Sequence, residues 1–97
     1  MISKPAVSGK PPVTRSTSGL VASTGTEVIN IHYLNLTEGA GRVNVRDGGA
    51  AGEIRIVLSS NAANGNDDYS PAQPAKFINN VYIEFATGTG AVSVLMN

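Results

Sequence analysis

His32 is the only imidazole in this chain of 97 residues, and so the only histidine base available to a nucleophile. Activating a hydroxyl needs a base within hydrogen-bond reach and a third group that orients the base. His32 lies inside the run Glu27 to Leu36 (EVINIHYLNL), and no G-x-S-x-G elbow occurs in the sequence. It reads as a hydrogen-bonding residue on a sheet surface, and no catalytic role is expected for it. Paired carboxylates are the other source of acid–base chemistry. Asp67-Asp68 is the only adjacent pair, and it sits between Ser60 and Pro74 in a stretch rich in Asn, Gly, Asp and Pro. With Asn64 and Asn66 it offers the oxygen donors that calcium prefers. The distal Glu of an EF-hand is missing, so the pair reads as part of a solvated loop.

No other constellation assembles a site. The chain has no Cys and one His, which excludes thiolate and multi-histidine metal centres within it. Gly39-x-Gly41 and Gly88-x-Gly90 lack the third glycine and the strand–turn–helix setting of a phosphate cradle. Asn35-Leu36-Thr37 fits the glycosylation sequon, but the opening MISKPAVSGKPP has no apolar stretch of the secretory kind, so a chance match is expected. No enzyme activity and no cofactor are expected.

What remains is binding chemistry. Residues 1–25 carry Lys4, Lys10 and Arg15 and no acid, giving +3, while four cations against seven acids in the rest give −3. Three cations are too few for nucleic-acid binding, yet enough to steer a tail toward an acidic protein surface. Pro5, Pro11 and Pro12 lie among them, with Ser, Thr and Gly around and no helical or strand period. Residues 1–19 therefore read as an extended basic arm whose partner contacts are Lys4, Pro5, Lys10, Pro11, Pro12 and Arg15.

Residues 20–97 must then be the folded domain, and the period of their side chains is two. Leu20-Val21-Ala22 makes a short edge strand. In the Glu27 run, Ile29, Ile31 and Tyr33 share one face and Asn30, His32 and Leu34 the other. Arg42 to Asp47 places Val43 and Val45 inward, and Asp47-Gly48-Gly49 turns the chain. Glu53 to Ser59 aligns Ile54, Ile56 and Leu58. A loop over 60–74 follows, long enough to be a functional element. Ala75 to Asn79, Val81 to Ala86 and Ala91 to Met96 complete the set, the last with Val92, Val94 and Met96 in register.

Six or seven short strands with frequent turns predict an all-β fold, a small antiparallel sandwich or barrel. Charged residues are only 14%, and no apolar run approaches the roughly 20 residues that span a bilayer, so no membrane partner is expected. A core this small is thin, and association commonly supplements it.

Three segments carry a resemblance: RVNVRDGG at Arg42 to Gly49, FINNVYIEFATG at Phe77 to Gly88, and the terminal strand Gly90 to Met96. Together they cover about a quarter of the chain. In these segments and in the order of its parts, the chain resembles the small capsid cement (decoration) proteins of tailed bacteriophages. The resemblance implies a virion surface location, bridging of major capsid protein subunits, and a dimeric or trimeric homo-oligomer. It also implies that the arm and the domain edges make the contacts. The alternative is a tail, neck or fibre accessory protein, or a glycan-binding β-module with Asp67, Asp68 and Tyr69 as its recognition elements.

Overall fold

The computed structural model describes residues 11–97, which form nine strands and one 3-10 turn. These are β1 (Val13–Arg15), β2 (Gly19–Ala22), β3 (Thr26–Asn35), β4 (Gly41–Asp47), β5 (Glu53–Ser60), β6 (Asn66–Tyr69), β7 (Ala75–Phe77), β8 (Val81–Thr87) and β9 (Gly90–Met96), with the 3-10 turn at Gly49–Ala51. One sheet runs β1-β9-β3-β6, with β7 pairing β3 beyond β6; the other runs β2-β8-β4-β5. Every pairing is antiparallel. The expected all-β class and β-sandwich are what the chain forms.

The core fills the space between the sheets, where one face of each strand loses its water. In β9 the alternation is complete: Val92, Val94 and Met96 are buried and Ala91, Ser93 and Leu95 are half-buried. Val43 and Val45 in β4 and Val81 and Ile83 in β8 meet them from the other sheet. Burying each such side chain contributes about 1.5–3 kcal/mol, which is how alternation becomes stability.

Two bulges shift the expected faces. The register of β3 against β9 slips between Val28 and Asn30, so Val28 turns inward and Ile29 is left half-buried. Ile31, Tyr33 and Asn35 follow as buried positions. A second slip, opposite Val45 and Arg46, leaves Ile54 exposed while Ile56 and Leu58 stay inside. An extra residue on one strand flips all that follows it, because the side-chain period is two.

The strand count is nine instead of six or seven, and the two additions lie in segments read as arm and loop. Val13–Arg15 pairs β9 through Val13↔Val94 and Arg15↔Val92, so the folded domain begins before residue 20. Asn66–Tyr69 pairs β3 through His32↔Asp68 and Leu34↔Asn66, so the 60–74 segment contains a strand. Neither has apolar alternation. A neighbour's backbone, and no side-chain period of their own, holds them in place.

Candidate functional site

Lys4, Pro5 and Lys10 lie outside the described residues. Pro11 and Pro12 are exposed and lead straight into β1. Arg15 does not reach outward. Its guanidinium donates to the carbonyl oxygens of Thr17 (2.9 Å), Ser18 (3.2 Å) and Leu20 (3.3 Å), and to Thr17 Oγ1. Leu20 is on β2, in the opposite sheet, so Arg15 staples the two sheets along their shared edge.

The other predicted recognition residues are also engaged. Asp67 Oδ2 accepts the Ser59 amide at 3.1 Å, joining β6 to β5 across the opposite edge of the sandwich. Asp68 Oδ1 lies 2.7 Å from His32 Nδ1, and Tyr69 packs against the core. What reads as a polar loop is a strand whose carboxylates are spent on neighbours.

The His32 contact completes a row across four strands on the outer face of the first sheet. Thr14 pairs Ser93, Ser93 pairs His32, and His32 pairs Asp68. Ser93 Oγ is 2.8 Å from Thr14 Oγ1. Serine, histidine and aspartate thus lie in triad order. An oxyanion needs free N–H donors aimed at it, and this row lies on ladders whose neighbouring strands take up those donors. His32 and Asp68 are about half exposed (46% and 54%), so water competes for their hydrogen bond. The row ties strands together.

One end of the sandwich is different. There Pro11, Val13, Val21, Ala22, Gly25 and Met96 line a groove of about 490 Å³ together with Ser23, Thr24 and Thr26. The groove opens between β1 and β2, beyond the point where Arg15 staples them. Gly25 and Thr26 also wall a second groove of about 280 Å³, with Glu27, Lys76, Phe77 and Ile78. Ile78 is 73% exposed, the most exposed large apolar side chain among the described residues.

Its presentation is fixed by a buried carboxylate. Asp47 Oδ2 accepts the Ile78 amide at 2.8 Å, and Oδ1 accepts those of Asn79 (2.8 Å) and Asn80 (3.3 Å). These backbone N–H groups, Ile78 first, hold the Asp47 carboxyl below its usual range against the opposing effect of burial, and Arg55 adds to them. In return Asn80 Oδ1 accepts the amides of Gly48 (3.0 Å) and Gly49 (2.9 Å). Both glycines have positive φ, 115° and 83°, which bends their N–H groups toward one acceptor.

On the outer face of the second sheet, Glu84 Oε1 accepts from Asn44 Nδ2 (2.8 Å) and Arg46 Nε (3.1 Å). The Asn44 bond, then Arg46, lowers the Glu84 carboxyl. Among the described residues no group of three or more His, Asp or Glu side chains is arranged to hold a metal.

Of the expected binding residues that are described, only Pro11 lines a groove. Val21, Ala22, Met96 and Ile78 were missed as groove lining, because in sequence they look like ordinary strand residues. The isolated Val13 beside the two prolines was the one available signal. No protein-family model and no curated protein matches the chain.

Proposed function

We propose that the protein is a non-enzymatic virion structural protein, a cement or decoration protein that binds and stabilises a phage head lattice through its arm and its domain edges. The observation that carries this reading is the shared location of the arm's root and the exposed apolar surface. Pro11, where residues 1–10 join the domain, lines one groove, and Ile78 lines its neighbour. A basic arm and an apolar end placed together suit a partner that is itself a large protein surface. Major capsid protein subunits are the partner, sister copies make a dimer or trimer, and the virion surface is the location. The glycan-binding alternative draws less support, because Asp67, Asp68 and Tyr69 are occupied within the domain.

Co-sedimentation with intact phage heads tests the reading. The wild-type chain is expected to pellet with heads and to raise their resistance to heat or chelator. Ile78→Ser is expected to weaken binding at least about fivefold, the worth of ~1 kcal/mol from one exposed aliphatic side chain. A chain that ignores heads altogether overturns the proposal.

A further inference from the structure

We propose that the groove between β1 and β2 is the seat for residues 1–10 of a second copy of this chain. The two edges of the sandwich are not equivalent. At one, Asp67 bonds the Ser59 amide and β6 is drawn onto β5, so the sheets meet. At the other, Arg15 joins β1 to Leu20 of β2 and the seam beyond it stands open. Both strands beside that opening are the last of their sheets, so each presents unpaired backbone groups on its outer side. An extended peptide meets both needs of such a seam, pairing with an edge and placing alternate side chains inside.

The chain carries a peptide of this kind. Ten residues precede Pro11, with Ile2, Ala6 and Val7 as apolar anchors and Lys4 and Lys10 as cations. At about 3.1 Å per residue they reach ~30 Å, enough to cross to a neighbour. Their charge is opposite to the −2 of residues 11–97, five cations against seven acids.

Pro11 lines the groove and Pro12 leads into β1, which begins at Val13. Successive prolines hold φ near −65° and keep the preceding residue extended, and proline is disfavoured at the third position of a common turn, so a tight reversal at this root is disfavoured. An arm arriving from a neighbouring copy meets no such restriction.

This inference deepens the cement reading by naming what joins its sister copies, and its test needs no phage head. Because the chain has no Cys, cross-linking is clean. One full-length variant carries Val7→Cys, another Ser23→Cys, and the two are mixed and oxidised. A disulfide-linked heterodimer is expected, with a two-subunit or larger mass for the wild type by light scattering. Full-length Val7→Asp is expected to weaken self-association at least about tenfold, as removing one buried aliphatic anchor should. Should the substitution at 23 perturb folding, Thr24→Cys takes its place. A monomeric wild type, dimers that never cross-link between 7 and 23 or 24, or a chain carrying both Val7→Cys and Ser23→Cys that cross-links only within itself would each overturn the proposal. Binding to heads is scored separately, so either proposal can fail alone.

Discussion

Asp47 and Asn80 cap each other's turns: the carboxylate of one takes the amides of residues 78–80, and the carboxamide of the other takes those of residues 48 and 49. Each turn is thus held by a side chain from the other, and Asp47 is the one buried charged residue among the described residues. Asp47→Ala strands three amide donors and removes one partner of Arg55, whose guanidinium lies 3.4 Å from the carboxylate. A loss of ~3 kcal/mol is expected in urea unfolding, since hydrogen bonds to a charged group are the strong class and the stranded donors add their own penalty. A loss under ~1 kcal/mol would show that the turns hold themselves.

The same carboxylate makes stability depend on acid. Its folded pKa lies below the ordinary value of 3.8, and that of Glu84 lies below 4.5. A group with a depressed folded pKa contributes stability that is complete above its unfolded pKa and lost as pH falls through the folded one. Stability should therefore be flat from neutral pH down to about 5 for these two groups and decline below about 4. Asp47→Asn is expected to flatten that acid limb while lowering the plateau. An unchanged slope in thermal melts between pH 5 and 2 would count against it.

Tyr33 is fully buried, and its hydroxyl has no hydrogen-bond partner among the described residues. Burial raises its pKa, so the neutral phenol is the form present. Removing an unpaired buried hydroxyl costs little and relieves its desolvation. Tyr33→Phe should leave stability unchanged or raise it by up to ~1 kcal/mol in chemical denaturation. A clear loss would reveal a bound water bonded to the hydroxyl.

The row of Thr14, Ser93, His32 and Asp68 invites a test by paired substitution. A double-mutant cycle on His32→Ala and Asp68→Ala should give a coupling of about 0.5 kcal/mol, as for other exposed side-chain pairs. A turnover of activated esters that vanished in His32→Ala and Ser93→Ala alike would contradict the structural role given to the row.

Much of the fold was legible as a local rhythm. In Arg42 to Asp47, Val81 to Ala86 and Ala91 to Met96, apolar side chains recur at every second position. One face of each run must then leave water whatever it packs against. The turn at Asp47-Gly48-Gly49 was likewise visible, because positive φ selects glycine. Those features depend on residues within a few positions of one another.

What the sequence could not disclose depends on residues far apart in it. β1 and β6 have no rhythm of their own, and they are strands because β9 and β3 offer them backbone partners. The bulges that turn Ile54 outward and Val28 inward arise where one strand carries an extra residue relative to its neighbour, a mismatch neither strand displays alone. Arg15 and Asp68, read as charges offered to a partner, met acceptors and donors within the domain first. Only once the sheets were stacked could one edge close and the other stay open. That inequality, set by which side chains reach across, left a groove lined by Val13, Val21 and Met96.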